Sequence, residues 1–130
     1  MSEGRYIGVD VGTRRVGLAV AGAEAKMAKA LTTVSPDEVN KVIDQEGPFL
    51  AIIVGLPRGL SGQDTPQTLA VRRWVDDAFG KRHEEIVWMD EAGTSALAED
   101  ELMAGGKPYD KAAIDAQAAA IILQDYLDQL

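Results

Sequence analysis

Residues 7–20 read IGVDVGTRRVGLAV, a run of small and aliphatic side chains with a single carboxylate, Asp10, at its centre. Alternation in RYIGVDV, residues 5–11, puts Tyr6, Gly8 and Asp10 on one face of a strand and Ile7, Val9 and Val11 on the other. Gly12-Thr13 supplies a turn, and Val16, Leu18 and Val20 alternate with small residues in a second strand, so the stretch predicts a β-hairpin. Aspartate has poor strand propensity, and an unpaired buried charge costs several kcal/mol. Something must compensate Asp10.

Outward from the hairpin, the chain alternates between strand and helix patterns. A short third strand is expected near residues 30–34, and Ser35-Pro36-Asp37-Glu38 predicts a helix start that runs through Val39, Val42 and Ile43 to Gly47-Pro48. The apolar run FLAIIVGLP has the length and continuity of a strand buried on both faces. After the loop RGLSGQD, Leu69, Val71, Trp74, Val75 and Phe79 suit a helix over 65–79, and EEIVWMDE predicts another strand. Helices near 95–103 and over 109–127 complete the chain. Trp74 and Trp88 fall in phase with apolar neighbours and read as core residues rather than stacking platforms. The pattern predicts an α/β fold with a mixed sheet and helices on its faces, in one domain spanning residues 1–130.

Composition narrows the chemistry. Cysteine is absent and histidine occurs once, at His83, which removes disulfides, thiolate-bound metals and multi-histidine sites. No apolar stretch approaches the ~18 residues of a membrane helix, and MSEGRY lacks the charged-then-apolar order of a signal peptide. A cytoplasmic protein with no membrane partner is expected. Net charge is −8, unfavourable for a general nucleic-acid binder. The charge is unevenly spread, however: residues 1–36 and 58–83 each hold five bases against three acids, while residues 84–130 hold eleven acids and two bases. A local basic surface is compatible with that distribution.

Three acids stand apart from the solvated ones. Asp10 lies mid-strand; Glu91, with Asp90, follows IVWM at the end of a strand, where ligands gather in open sheets, or where a carboxylate simply caps the next helix. Asp115 lies within about 40° of Ala119, Ile122 and Tyr126 on the last helix, with Gln117, Gln124 and Asp128 on the far side, so it points toward the sheet. Either a base such as Lys111 neutralises it or it joins other acids around a cation; Asp110 is a reserve candidate. If the three acids converge, their repulsion calls for a cation, and oxygen-only ligands favour Mg²⁺ or Mn²⁺. Such clusters suit phosphodiester hydrolysis. Arg14-Arg15 is either a solvated turn or a phosphate-steering pair beside Asp10.

Four blocks in order carry a resemblance: IGVDVGTRRVGLAV, VGLPRGLSGQDTPQTLAVRRW (54–74), DEAGTS (90–95) and KAAIDAQAAAIILQDYL (111–127). Together the chain resembles the YqgF family of Holliday-junction-resolvase-like proteins, also described as pre-16S rRNA nucleases. The resemblance implies an RNase H-like fold with a five-stranded sheet of antiparallel hairpin strands and two further parallel strands. It also implies a divalent-metal nuclease whose catalytic metal ligands are Asp10, Glu91 and Asp115. Thr13, Arg14 and Arg15 would then lie beside the phosphate backbone, with Thr94 and Ser95 near the site. The implied partner is a ribosomal RNA precursor cut near its 5′ end, or branched DNA, handled by a monomer or a homodimer. The chain departs from the family pattern at Ala92, where arginine is usual, at Gly59 and Ser61, and at Gly22 and Ala23. Arg58 is a candidate to supply the charge missing at Ala92.

Two readings from other classes use the same residues. Asp-x-Gly-Thr after a strand also resembles the phosphate loop of actin-like ATPases and sugar kinases, but those close two such domains on ATP. A nucleic-acid-binding module without catalysis is the other.

Overall fold

In the computed structural model the described residues are 4–22, 24–91 and 93–130. Ala23 and Ala92, two of the departures from the family pattern, lie outside them. The hairpin forms as its alternation predicts: β1 (Arg5–Val11) pairs antiparallel with β2 (Val16–Gly22), from Arg5↔Gly22 to Val11↔Val16. The Gly12 N–H donates to the Arg15 carbonyl at 2.9 Å across the turn. β3 (Lys29–Val34) adds antiparallel to β2, while β4 (Ala51–Pro57) lies parallel to β1 and β5 (Glu85–Glu91) parallel to β4. The sheet order is β3-β2-β1-β4-β5, the mixed five-stranded arrangement expected.

The two faces of the sheet have different chemistry. On one, Ile7, Val9, Val16, Leu18, Ile52 and Val54 pack with α1 (Val39–Glu46) and α2 (Pro66–Phe79), through Val39, Ile43, Val71, Val75 and Phe79. On the other, Ala19, Ala21, Ala51 and Ile53 meet α4 (Lys111–Asp128), through Ala119, Ala120, Ile122, Leu123 and Leu127. α3 (Thr94–Ala104) packs against α4. Ala51 to Leu56 are all buried, as a strand covered on both faces requires.

Local signals place the ends. Ser35-Pro36-Asp37-Glu38 forms a 3-10 turn leading into α1, with Glu38 Oε1 accepting from Ser35 Oγ at 3.0 Å. Thr65 caps α2, and the Thr68 hydroxyl donates to the Pro57 carbonyl at the end of β4. Thr68 thereby occupies the inward position one turn before Val71. Leu69, expected on the apolar face, is instead 59 % exposed, because it projects about 160° away from Val71. Gln117 and Gln124, read as the far side of the last helix, are tied down rather than merely solvated. Gln117 donates to Glu101 of α3 at 2.7 Å, and Gln124 accepts from the Ala28 N–H at 2.9 Å.

Candidate active site

Asp10 and Glu91 lie where β1 and β5 end, beside the first turns of α4 that carry Asp115. Asp10 is the penultimate residue of β1, faces α4 and sits opposite Gly17. Gly17 is needed there: a Cβ would lie 2.0 Å from the Asp115 carbonyl oxygen, so only glycine lets the first turns of α4 come down onto the hairpin. Glu91 ends β5, and its carboxylate folds back over β4. A Cβ at Gly55 would stand 2.6 Å from Glu91 Oε2 and 2.5 Å from Ile122 Cδ1. The glycines of β2 and β4 therefore make the space into which two of the acids fit.

Electrostatics reflect this crowding. Burial, then the nearby Glu91 and Asp115 charges, push the Asp10 carboxyl up to about 7. Glu91 is also raised by burial, opposed by a hydrogen bond from Thr94. Asp115 is 22 % exposed, and its Oδ2 accepts from Arg15 Nε at 2.7 Å. Its neutralising base is thus Arg15 of the hairpin turn, not Lys111. Asp110 is the cap of α4, accepting from the Ala113 N–H at 2.9 Å, and has no place in the cluster. Neither Asp90 nor Glu91 caps α3, whose preceding residue is Gly93 at φ 70°.

Asp10 is common to two concavities. One, of about 250 Å³, is lined by Asp10, Glu91, Arg58, Gln67, Thr94 and Ser95 among others. The second, of about 430 Å³, is lined by Asp10, Thr13, Arg14, Arg15, Lys111 and Asp115, again with Gln67. Asp10, Glu91, Asp115, Thr13, Arg14, Arg15, Arg58, Thr94 and Ser95 each line one or the other, whereas Asp90 and Asp110 line neither. The three acids are nevertheless not gathered as ligands: among the described residues no group of three His, Asp or Glu side chains is close enough to hold a metal ion, and Asp115 is paired with Arg15. The donor set still fits a hard divalent cation. It consists of carboxylate oxygens alone, His83 lies exposed in the α2–β5 connection, and a half-buried acid pushed up to about 7 by burial and by neighbouring acids marks a centre short of positive charge.

Arg58 occupies the first concavity. Its Nε is buried without a hydrogen-bond partner, 3.4 Å from Asp90 Oδ1, while Nη1 donates to Asp64 Oδ1 at 2.5 Å. Gln67 is the residue that sequence reasoning missed. It stands exposed in the first turn of α2, at the rim of both concavities, and the signal for it was the Thr65-Pro66 helix start directly after the loop that follows β4.

Comparison with known proteins adds to this geometry. The family model RuvX, described as Holliday junction resolvase, matches residues 4–129. A protein of Chloroflexus aggregans named "Putative pre-16S rRNA nuclease" is 39 % identical over 136 residues, covering 98 % of this chain and 96 % of its own. One of the same name from Salinibacter ruber is 39 % identical over 139 residues, covering 98 % and 95 %. Among solved structures, Thermus thermophilus RuvC in complex with a Holliday junction substrate superposes with a TM-score of 0.57 at 18 % identity, covering 97 % of this chain and 94 % of that one. A further Thermus thermophilus RuvC structure gives 0.54 at 16 %, covering 96 % and 94 %. At such identities the likeness bears on the fold alone, which is RNase H-like.

Proposed function

The chain belongs to the RuvX family of Holliday junction resolvases, and from that premise we propose that it is a divalent-metal-dependent endonuclease acting on the 5′ end of pre-16S ribosomal RNA. The observation that carries the reading is the placement of Asp10, half-buried at the junction of two concavities, with Glu91 in one and Asp115 in the other. The relatives named for pre-16S rRNA favour RNA as substrate. The family description favours branched DNA as the second reading. The cytoplasm is the setting in which such a precursor would be met, and among the described residues no helix is long and apolar enough to cross a membrane.

Asp10, Glu91 and Asp115 would hold Mg²⁺ or Mn²⁺, which when bound polarises a phosphoryl oxygen and lowers the pKa of attacking water. The chain's own cations flank that position. Arg14, Arg15 and Lys111 border the concavity of Asp115, and Arg58 borders that of Glu91, so a phosphodiester at Asp10 meets positive charge from both sides. Arg15 has two partners to choose between, since it holds Asp115 until a phosphate competes for its guanidinium. Arg58, held between Asp64 and Asp90, would have to exchange one of these carboxylates for a phosphate oxygen. Thr13, Thr94 and Ser95 add short hydroxyl-bearing side chains that can position the backbone.

The test is cleavage of a labelled 16S precursor fragment carrying its 5′ extension, beside a four-way DNA junction, with Mg²⁺, Mn²⁺ or chelator. Cleavage of the RNA that needs the ion, and that Asp10→Asn, Glu91→Gln and Asp115→Asn each reduce by more than ~100-fold, is expected. Undiminished activity in Asp10→Asn would sink the mechanism, and cutting of the junction alone would move the substrate to DNA.

A further inference from the structure

On the other side of β1 from Asp10 lies a third concavity, of about 180 Å³, that the three carboxylates do not use. Its walls are Val11, Gly12, Pro36, Ala70, Val71 and Trp74, and its polar groups are those of Thr13 and Gln67. No side chain lining it carries a charge, in contrast to both acidic concavities. Trp74 is held by an edge-on contact with the buried Phe79, ring centroids 5.3 Å apart and planes at 77°. Its remaining surface contributes an immobilised aromatic wall. The tryptophan read from sequence as a core residue is only half-buried, and the part left over faces this niche.

We propose that the niche receives one nucleobase of the substrate, next to the phosphate held at Asp10. The inference rests on the nuclease reading of the adjoining carboxylates, and it adds a subsite to them. Asp10 and Val11 are consecutive on β1 and so project to opposite faces of the sheet. A strand of nucleic acid lying over the end of β1 thus meets acids on one side and an apolar, aromatic niche on the other. That is the order in which a nucleotide presents its phosphate and its base. Val11 and Gln67 line both the niche and the Glu91 concavity; Gly12, Thr13 and Gln67 line both the niche and the Asp115 concavity, so the three spaces adjoin. An uncharged, largely apolar pocket with a hydroxyl and an amide at hand suits a flat heteroaromatic ring. Its faces are apolar, and its edge can exchange hydrogen bonds with an amide that both donates and accepts. A sugar or a phosphate would leave its polar atoms without partners there.

The test uses Ala70→Leu, at an exposed helical position, which narrows the niche without touching an acid or a base. Cleavage of oligoribonucleotides is compared with a series in which each nucleotide flanking the cut is in turn made abasic. In parallel, Trp74 emission is followed in a Trp88→Phe background while intact and abasic oligonucleotides are added. Ala70→Leu is expected to raise KM about tenfold with kcat little changed, and one abasic position to raise it equally in wild type but no further in the variant. The intact oligonucleotide should quench Trp74, and the oligonucleotide abasic at that position should not. Quenching without cleavage would leave the subsite standing and remove the nuclease reading. Cleavage that is indifferent to Ala70→Leu and to every abasic position, or equal quenching by both oligonucleotides, would overturn the subsite.

Discussion

Two glycines separate stability from activity at the level of single residues. At Gly17 an added methyl meets backbone, the Asp115 carbonyl carbon and oxygen at 2.3 and 2.0 Å, and backbone cannot swing away. Gly17→Ala must lift α4 off the hairpin, so a loss of about 2–3 kcal/mol is expected in urea unfolding, as for overpacked cores. At Gly55 the methyl meets side chains rather than backbone, Ile122 Cδ1 at 2.5 Å and Cγ1 at 3.1 Å, and Glu91 Oε2 at 2.6 Å. Gly55→Ala should therefore cost no more than about 1 kcal/mol while moving the Glu91 carboxylate and lowering kcat by at least about tenfold. Equal effects of the two substitutions on stability would contradict this division. The glycines around Asp10 read in the sequence as clearance for a ligand-bearing strand, but what Gly17 clears, the backbone of α4, was not legible, and Gly55 read only as a member of an apolar strand. What was legible was Asp10, because a charge in an apolar strand demands an explanation whatever the surrounding fold. The partner of Asp115 was not: Lys111 is four residues away on the same helix, whereas Arg15 is a hundred residues distant and reaches it only through tertiary structure.

Among the elements, the connection between α2 and β5 is held by one arginine. Arg82 donates from Nε and Nη2 to the two oxygens of Glu84, each at 3.0 Å, and also reaches Asn40 Oδ1 at 3.2 Å and Asp44 Oδ1 at 2.8 Å on α1. Asn40 in turn donates to the Ala78 carbonyl at the end of α2 at 2.9 Å. The Glu84 side chain is only 4 % exposed, and the guanidinium holds its carboxyl below the ordinary value of 4.5, while Glu84 and Asp44 raise Arg82. A carboxylate with a depressed pKa stabilises the fold above its unfolded pKa, and that contribution is lost as pH falls through the folded value. Arg82→Leu leaves Glu84 buried and unpaired and should cost about 3 kcal/mol at pH 7. The gap between wild type and variant should shrink as pH is lowered below 4.5, where Glu84 takes up a proton and no longer needs a partner. Denaturant titrations across pH 3–7 check this, and a gap independent of pH would remove Glu84 as its source. Of the helices that carry this network, α1 was foreseen from its Ser35-Pro36 start and α2 from its apolar spacing, both of them local signals. Leu69 was misplaced because a helical apolar pattern does not say whether Thr68 or its neighbour turns inward, a choice made by the Pro57 carbonyl of another element.

For the molecule as a whole, the uneven charge in the sequence becomes a spatial division. The acid-rich segment 84–130 forms β5, α3 and α4, while the hairpin turn brings Arg14 and Arg15 to one of the two concavities at Asp10 and the loop after β4 brings Arg58 to the other. With a net charge of −8, long-range attraction for a polyanion is weak, and the bases placed around Asp10 are those a phosphate backbone bound there would meet. Counterion release then scales with those bases alone. Arg14, Arg15, Arg58 and Lys111 would neutralise at most four phosphates, giving a slope of log K against log salt of about −3 to −4. Replacing Arg14 and Arg15 together by alanine should reduce the magnitude of the slope by about 1.5–2, measured with the Asp10→Asn protein so that substrate survives the titration. Arg15 makes the outcome informative beyond its own charge, because its loss also frees Asp115. If Arg15 serves only to pair Asp115, the double replacement leaves the slope lowered by the share of Arg14 alone, or unchanged. If it turns to phosphate on binding, both charges disappear from the slope.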